Sequence, residues 1–341
     1  MGAVLLTGAT GFVGKEILER LLTRGRRVFA LVRAKDDDAA AARLEPHARL
    51  TPVAGDIERP DLALPDSKAA ALAEQVTTVL HCAASVSFDL PLSYSRRVNV
   101  DGTRHVLDFA ERCKRLERLT YVSTAYVAGE PGGTFQEDEL DVGQDFRNPY
   151  ERSKFEAERM LRERGRDLPL QILRPSIVVG DSRTGRTSSF NVLYGPLKAF
   201  ALGAIPAIPA RRASPVDIVP VDYVADRAVD LADDGPDGTF HLVAGRNATT
   251  VGRLLELASA QLGRKAPAVL PPAAYHRLLH PWLRRKNSAL RRLEVYFPYF
   301  AMRVRFDDRR LGPAPPVESY FHRLVEFAEN ARWGRAVPST G

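Results

Sequence analysis

The segment that most limits how this chain can fold is a glycine-rich turn between an apolar run and a helical pattern. The apolar run is Ala3–Thr7, and Lys15–Thr23 repeats its apolar residues with helical spacing. Glycines let a backbone approach a diphosphate, and a helix N-terminus offers unpaired N–H groups there. The turn therefore predicts a dinucleotide site, with a tight turn that binds nothing as the alternative. The residues expected to line it are Thr7, Gly8, Thr10, Gly11, Phe12, Val13 and Gly14.

The rest of the first half alternates apolar strands with helical patterns. Helical patterns cover 99–112 and 150–164, and the further strand candidates are Val28–Val32, Leu50–Val53, Thr78–His81, Leu119–Val122 and Leu170–Leu173. Strands that lack polar alternation and are separated by helices are typical of a parallel sheet covered on both faces. We therefore predict an α/β fold with a doubly wound parallel sheet.

The composition changes after Arg174. Residues 180–215 are rich in Gly, Pro, Ser and Arg, whereas Val216–Ala232 regains helical spacing. We expect a nucleotide-binding domain over 1–180, to which 216–235 returns. A smaller C-terminal substrate-binding lobe is expected to comprise 181–215 and 236–341.

The end of the second strand indicates which dinucleotide is bound. An acidic residue at that position binds the ribose hydroxyls of NAD. Here the strand Val28–Val32 is followed by Arg33, with Lys35 close behind. A guanidinium suits a 2′-phosphate, so NADP(H) is the expected cofactor. The alternative is a solvated surface arginine.

A tyrosine and a lysine at the start of a helix form a candidate acid–base pair. Tyr150 and Lys154 are four residues apart and share one helical face. A nearby ammonium favours the phenolate, so we expect it to lower the pKa of Tyr150. Upstream, a strand ends at Ser123 and Thr124, where a hydroxyl can hold a carbonyl oxygen beside the tyrosine. The spacing alone is common on helix surfaces, but its position behind the glycine turn favours catalysis.

Composition excludes several other classes of protein. The chain has two cysteines, too few for a disulfide framework, and no apolar run long enough to span a membrane. We expect a cytoplasmic protein. Its seven histidines form no ligand cluster along the sequence, so no metal site is expected.

Taken together, these motifs resemble the extended short-chain dehydrogenase/reductase superfamily, whose sheet is of the Rossmann type. The matching segments cover roughly residues 1–180 in order: Thr7–Gly14, Gly55–Ile57, His81–Ala84, Asn99–Thr103, Val122–Gly129, Tyr150–Lys154 and Arg174–Ser176. Carried over by position, the resemblance implies that Thr124, Tyr150 and Lys154 are the catalytic trio. Asn99 would support them, with a helix cap as the alternative for this residue.

The same resemblance implies how the cofactor is held. Asp56 and Ile57 would line the adenine, although Asp56 can also be read as a turn residue. Lys154 would bind the nicotinamide ribose. The central region of the cofactor and its nicotinamide would be lined by Ala83, Ala84, Pro175, Ser176 and Ile177.

Further segments resemble one branch of that superfamily, the thioester reductases and fatty acyl-CoA reductases, with their male-sterility-type NAD-binding domain. These are Ser85–Asp89, Val179–Gly185, Phe297–Tyr299 and Arg305–Asp307. The branch implies that NADPH reduces an acyl thioester, carried by CoA or an acyl carrier protein, to an aldehyde. A second reduction would give an alcohol.

Positive charge is concentrated in the expected lobe. The chain has a net charge of +7, and residues 264–310 hold twelve Lys and Arg against three acidic residues. A solvated helical cap explains such a pattern. The alternatives are a contact for CoA phosphates or an acidic carrier protein, and peripheral contact with a membrane surface. Nucleic acid is not expected, because no recognition module accompanies the charge.

Other functions stay open at this point. One is reduction of a ketone, or oxidation of a secondary alcohol, on a sterol-like or flavonol-like substrate. A sugar-nucleotide epimerase or dehydratase fits less well, because Arg33 favours NADP(H). A non-catalytic NADP sensor would not need to retain Thr124, Tyr150 and Lys154.

Overall fold

The computed structural model describes residues 2–130, 132–190, 192–278 and 293–335. The strands are β1 Ala3–Thr7, β2 Val28–Val32, β3 Leu50–Ala54, β4 Val76–His81, β5 Arg118–Val122, β6 Gly133–Phe135, β7 Leu170–Pro175, β8 Ile177–Val179, β9 Ala207–Pro209, β10 Pro215–Val216, β11 Ile218–Pro220, β12 Gly238–Leu242, β13 Thr249–Thr250, β14 Ala268–Leu270 and β15 Val304–Phe306. The α-helices are α1 Phe12–Thr23, α2 Asp37–Ala41, α3 Asp66–Ala73, α4 Leu92–Arg96, α5 Gly102–Glu111, α6 Pro149–Arg164, α7 Tyr194–Ala201, α8 Val221–Asp234, α9 Val251–Leu262, α10 Pro272–Leu278 and α11 Phe321–Asn330.

Within the described residues, seven strands form one parallel sheet in the order β12-β7-β5-β4-β1-β2-β3. The chain runs outward from β1 to β3 on one side and from β4 to β12 on the other. Because parallel crossovers are right-handed, this reversal places α1 and α5 on opposite faces. The predicted doubly wound α/β fold is confirmed.

Both helical layers bury apolar residues against the sheet. On one face, Leu107 of α5 and Ala157 of α6 join Leu5 and Val79 in a continuous apolar cluster. A fully buried aliphatic side chain of this kind contributes about 1.5–3 kcal/mol. Elsewhere, α1 and α8 bury apolar faces of their own and are joined by ion pairs of Arg20 with Asp226 and Arg24 with Asp230.

At the glycine turn, the backbone of Gly8 lies very close to the backbone of Ala83 and of Gly14. Gly8 has φ +79°, which favours glycine, and a Cβ placed there would lie 2.7 Å from the amide nitrogen of Ala83. A Cβ at Gly14, in the first turn of α1, would overlap the carbonyl oxygen of Gly8. The residue type at these positions is therefore dictated by the contact between β1, α1 and the end of β4.

The chain divides into two compact units. The first comprises Met1–Gly129, Glu137–Pro175 and Tyr223–Leu242, and the second Glu130–Gln136, Ser176–Asp222 and Val243–Gly341. These boundaries differ from the expected ones, because β12 pairs with β7 and so adds 238–242 to the first unit. Residues 176–180 belong to the second unit, where β8 pairs with β11. Neither pairing leaves a local signal in the sequence.

The second unit is built from short strand pairs and helices. Among its described residues, β8 pairs with β11, β9 with β14 and β6 with β15 in parallel, whereas β10 and β13 are antiparallel. Helix α11 buries Phe321, Leu324 and Val325. That this unit binds substrate stays a prediction. Part of the basic region 264–310, residues 279–292, lies outside the described residues.

In the described ranges, no helix is both long enough and apolar enough to cross a membrane. The same ranges contain no group of three His, Cys, Asp or Glu side chains arranged to hold a metal ion.

The close approach at the glycine turn predicts the effect of a single methyl group. An alanine inside a helix normally stabilises it by about 0.5–1 kcal/mol relative to glycine. Gly14→Ala should instead lower the free energy of unfolding by about 1–3 kcal/mol, because the methyl group overlaps the Gly8 carbonyl oxygen. Chemical denaturation measures the change. The control is Gly195→Ala in α7, where the added Cβ meets only side-chain atoms, the nearest at 3.4 Å. Equal effects of the two variants would contradict the prediction.

Candidate active site

Helix α6 begins with a cap that places Tyr150 in its first turn. The Asn148 side chain accepts a hydrogen bond from the Glu151 amide (3.0 Å), and Pro149 occupies the first helical position. In return, the Glu151 carboxylate accepts from the amide of Arg147 (3.0 Å) and forms a buried ion pair with its guanidinium. These bonds determine where the helix starts and therefore where Tyr150 and the residues one and two turns later project.

Lys154 lies one turn after Tyr150 and is almost completely buried, with 2% of its surface exposed. Its Nζ donates to the carbonyl oxygen of Val122 at the end of β5 (2.7 Å). The same atom lies 4.1 Å from the ring centroid of Tyr121, a cation–π contact. Burial lowers the pKa of Lys154 to about 7, although the nearby Cys82 and Glu158 favour the ammonium.

Thr124 and Tyr150 are brought together by the end of β5. Thr124 caps the short helix Ala125–Ala128 by accepting from the Tyr126 amide (3.2 Å). Its hydroxyl donates to the carbonyl oxygen of Pro175 at 3.4 Å and lies close enough to the Tyr150 hydroxyl to lower the pKa of that phenol. Two hydroxyls from distant segments thus meet at the carboxyl edge of the sheet, where parallel α/β sheets form their sites.

The expected low pKa of Tyr150 is not found. Burial raises the pKa of Tyr150 to about 12, although the nearby Thr124 hydroxyl acts to lower it. Lys154 points its Nζ at Val122. The phenol is therefore protonated at neutral pH and suited to donating a proton. The ring of Phe88 packs at 5.7 Å from that of Tyr150, a contact that sequence motifs did not reveal.

Asn99 lies in a π-helical turn, Arg97–Asp101, between α4 and α5. The predicted helix over 99–112 is found, but it continues a helix that begins at Leu92, and its residues 99–101 belong to the π-helical turn. Asn99 Oδ1 accepts from the Ser85 amide (2.8 Å), and Nδ2 donates to the Ser85 carbonyl (3.0 Å) and to Ser153 Oγ (2.9 Å). Ser153 in turn donates to the carbonyl oxygen of Tyr150 (2.9 Å). Asn99 thus joins the loop after β4 to the helix of Tyr150; the sequence did not single out Ser153.

The residues expected around the cofactor lie mostly in the first unit. Thr7 ends β1, Pro175 ends β7, and Ala83 and Ala84 follow β4. The Ala83 amide donates to Thr7 Oγ1 (3.2 Å). The other positions of the glycine turn, where Gly11 precedes α1 without a side-chain cap, are Gly8, Thr10, Gly11, Phe12, Val13 and Gly14.

The end of β2 carries an arginine that already has an acidic partner. Arg33 is 69% exposed and forms an ion pair with Glu58 (3.0 Å), which also contacts Arg97 (3.0 Å). Asp56 Oδ1 accepts from the Glu58 amide (3.0 Å), and the Ile57 carbonyl oxygen contacts a buried histidine. Arg33, Asp56 and Ile57 therefore share one end of the sheet, with Glu58 between the cations.

Ser176 and Ile177 belong to the second unit. Ile177 pairs with Ile218, and its amide donates to the carbonyl oxygen of Asp217 (3.3 Å). Ser176 is buried there. Burial raises the pKa of Asp217 to about 6, although its carboxylate accepts from the amides of Ala244 and Gly245.

A buried charge pair lies behind the candidate site. Glu158, two turns after Tyr150, and Arg174 at the end of β7 are both fully buried and form an ion pair (2.6 Å). Glu158 also accepts from Ser123 (2.8 Å), the neighbour of Thr124, and Arg174 contacts His241 (3.2 Å). Spacing along the helix could have suggested Glu158, because Tyr150, Lys154 and Glu158 recur every four residues.

The assembled groups suit chemistry at a carbonyl. The hydroxyls of Thr124 and Tyr150 can both bind one oxygen, and a protonated Tyr150 can transfer a proton to it. The glycine turn and the N-terminus of α1 offer backbone N–H groups to a diphosphate. Besides the N–H group that Lys154 donates to the Val122 carbonyl oxygen, its Nζ carries further N–H groups.

Comparison with known proteins supports the same interpretation. A family model described as Male sterility protein matches residues 6–228. Similar proteins include fatty acyl-CoA reductase wat from Drosophila melanogaster, 29% identical over 64% of this chain and 52% of that protein. A carboxylic acid reductase from Segniliparus rugosus is 32% identical over 69% of this chain and 23% of its own length. The chain thus spans about half, or less, of these relatives.

A solved structure is similar over almost the whole chain. The terminal R domain from the myxalamid PKS-NRPS biosynthetic pathway superimposes with a TM-score of 0.85 at 29% identity. The match covers 99% of this chain and 93% of that domain. Together with the family match over more than half of the residues, this similarity confirms the resemblance drawn from the motifs. The chain belongs to the Male sterility protein family of NAD-binding domains.

Proposed function

We propose that the chain reduces the carbonyl group of an acyl thioester to an aldehyde, with NADPH as the reductant. The observation that carries the proposal is the meeting of the Thr124 and Tyr150 hydroxyls beside buried Lys154, at the sheet edge that holds the glycine turn. The relatives named as fatty acyl-CoA reductase, carboxylic acid reductase and R domain support a thioester as the substrate.

Two hydroxyls act on the substrate oxygen. When bound, the nicotinamide supplies hydride to the carbonyl carbon. Thr124 and Tyr150 donate hydrogen bonds to the oxygen as negative charge develops on it. Tyr150 then donates its proton, which its raised pKa keeps in place at neutral pH. Loss of the thiol from the resulting hemithioacetal leaves the aldehyde, and a second round would give an alcohol.

Lys154 holds the nicotinamide ribose in this proposal. Its bond to the Val122 carbonyl oxygen fixes the direction of the side chain, so the remaining N–H groups are available to sugar hydroxyls. Asn99 fixes the loop at Ser85 and, through Ser153, the first turn of α6. Its polar atoms all have protein partners, so Asn99 acts by positioning rather than on the substrate.

The proposed cofactor is NADP(H) rather than NAD(H). Arg33 follows β2, is largely exposed, and presents a guanidinium where a 2′-phosphate would lie. Arg43 donates to the backbone carbonyl of Arg33 (2.8 Å), which adds a second cation. Glu58 competes for Arg33, and a 2′-phosphate would replace it as the partner.

We place an anionic carrier on the second unit, as CoA or an acyl carrier protein. Its described residues include exposed Arg264, Lys265, Arg303 and Arg305, part of the basic region 264–310. Phosphates on CoA or on a carrier-linked pantetheine would complement that charge. The similar R domain comes from a PKS-NRPS pathway, which supports a carrier-bound substrate.

One experiment tests the reaction directly. The purified chain is supplied with NADPH and, separately, with acyl-CoAs and acyl-loaded carrier proteins, and aldehydes are trapped as they form. Oxidation of NADPH with stoichiometric aldehyde or alcohol is the expected result. Ketones are supplied in a parallel assay, and reduction of ketones alone would replace the proposal with the ketone reductase alternative.

Removing the proposed proton donor should stop the chemistry but not cofactor binding. We expect Tyr150→Phe to lower kcat by about 10²–10⁴-fold with the Kd for NADPH nearly unchanged. Tyr94→Phe is the matched control, because it removes a phenol hydroxyl from the same unit, outside the candidate site. Single-turnover NADPH oxidation and fluorescence titration separate the two effects. Wild-type turnover by Tyr150→Phe would refute the assigned role.

Cofactor preference should depend on Arg33. Arg33→Ala should weaken NADPH binding about tenfold and leave NADH binding within about twofold, because only NADPH carries the 2′-phosphate. Titrations with both cofactors measure the ratio. Arg104→Ala on α5 controls for the loss of one exposed arginine. Tighter binding of NADH than of NADPH by the wild type would overturn the NADP(H) assignment.

The lowered pKa of Lys154 predicts a pH-dependent stability of the cofactor-free protein. The ordinary pKa of lysine is 10.5, and in the folded state it is about 7. The unfolded chain therefore binds more protons between these values, so this group makes stability rise with pH across that window. Lys154→Met removes this group, so its free energy of unfolding should not show the rise. The difference in free energy of unfolding, Lys154→Met minus wild type, should therefore fall from pH 7 to pH 10.

Urea denaturation across that pH range provides the measurement. Lys35→Met, which removes an exposed lysine, is the control and should follow the wild-type pH profile. A Lys154→Met profile parallel to that of the wild type would show that the Lys154 pKa is not lowered by folding.

A further inference from the structure

A buried hydrogen-bond chain starts at the loop after β4. The amide of Ala83 donates to Thr7 Oγ1 (3.2 Å), and Thr7 Oγ1 lies 2.7 Å from Nδ1 of His81. Thr7 and His81 are 0% and 1% exposed. Both strand ends that frame the glycine turn, β1 and β4, therefore meet at one imidazole.

The hydrogen-bond chain continues on the other side of the His81 imidazole. His81 Nε2 lies 3.0 Å from Thr103 Oγ1, and Thr103 Oγ1 donates to the carbonyl oxygen of Asn99 (2.6 Å). Thr103 is 2% exposed. Asn99 stands in the π-helical turn and holds Ser85 and Ser153 by its side chain. Five residues thus connect the glycine turn to the support of Tyr150.

The direction of every bond in this chain follows from chemistry. A carbonyl oxygen only accepts, so the single hydroxyl hydrogen of Thr103 goes to Asn99. Thr103 must then accept from His81, which puts the imidazole hydrogen on Nε2. A neutral imidazole has one N–H, so Nδ1 accepts from Thr7, whose oxygen receives the Ala83 amide hydrogen.

The surroundings keep this imidazole neutral. Burial and, to a smaller extent, the nearby Lys154 lower the pKa of His81 to about 3. The ring stacks on Tyr121 at a centroid distance of 5.5 Å, and Tyr121 contacts Lys154. A second N–H on the ring would remove the Nδ1 acceptor of the Thr7 hydroxyl hydrogen.

We propose that His81, as the neutral Nε2–H tautomer, is a positioning residue that couples the glycine turn to Asn99. The proposal rests on the proposed reductase function at one point only, the catalytic role of Tyr150, whose helix Asn99 supports through Ser153. Its two halves do different work: the Thr7 half sets the loop that receives the cofactor, and the Thr103 half sets the turn that orients Ser153 and Tyr150.

Two substitutions, each breaking one half, test the coupling in the full chain. Thr103→Val removes the hydroxyl between His81 and Asn99, so kcat should fall about tenfold with the Kd for NADPH within about twofold. His81→Gln keeps an N–H near the Nε2 position but loses the Nδ1 acceptor, so that Kd should rise about tenfold. If both variants change only kcat, or both change only the Kd for NADPH, the division of the hydrogen-bond chain into a Thr7 half and a Thr103 half is wrong.

A matched control separates this role from simple loss of stability. Thr120→Val, in β5, removes one buried hydrogen bond, from Thr120 to Gln171 (3.0 Å). It should lower the unfolding midpoint, though less than Thr103→Val, which loses two hydrogen bonds, and leave kcat within about twofold. Equal losses of kcat in both variants would reduce Thr103 to a structural residue and overturn the proposal.

The tautomer is tested without any activity. Nitrogen-15 NMR of the uniformly labelled chain, with His81 assigned by its absence in His81→Gln, should show an Nε2–H imidazole that stays neutral at pH 5. An Nδ1–H or doubly protonated ring would overturn the proposal. If the chain does not reduce thioesters, the tautomer and the cofactor Kd still decide the positioning role, so the two failures are distinguishable.

Discussion

The candidate site depends on charges buried along one face of α6. Lys154 and Glu158 are taken out of water, which is tolerated only when such groups find partners. The Val122 carbonyl oxygen accepts from Lys154, and Arg174 and Ser123 satisfy Glu158. Glu158 also pairs with Arg162 on the same helix (2.9 Å), but the partners from outside α6 come from the end of β5 or β7. These contacts fix the position of α6 along the strands, and as a result Tyr150 lies next to Thr124.

The parallel sheet supplies the second constraint. Because β1 and β4 are neighbours, the glycine turn and the loop at Ala83 leave the sheet side by side, with no room for a Cβ at Gly8. The glycine turn, the loop at Ala83 and the two hydroxyls of Thr124 and Tyr150 therefore share one edge. An acid–base pair on a helix surface becomes a site for hydride transfer only when a nucleotide can be held at that edge.

The hydrogen-bond partners of Lys154 and Asn99 differ from what the sequence predicts. Lys154 does not lower the pKa of Tyr150, because its ammonium is directed at a backbone carbonyl and burial governs the phenol. Both Nδ2 hydrogens of Asn99 are donated within the protein, and we therefore assign it a supporting role. The Glu158–Arg174 pair and His81 join residues far apart along the chain, so no spacing rule pointed to them as a set.

The family resemblance named Thr124, Tyr150 and Lys154 as the catalytic trio, and that role stays a prediction. The sequence by itself determined the doubly wound fold, the glycine turn and the position of Tyr150 and Lys154 on one helical face. These follow from periodicity and from residue types at short spacing, which are written along the chain. Only the tertiary structure decided that β12 joins the large sheet, that Ser176 belongs to the second unit, and which proton His81 carries. Strand pairing, burial and hydrogen-bond direction depend on residues tens of positions apart, and local patterns carry no record of them.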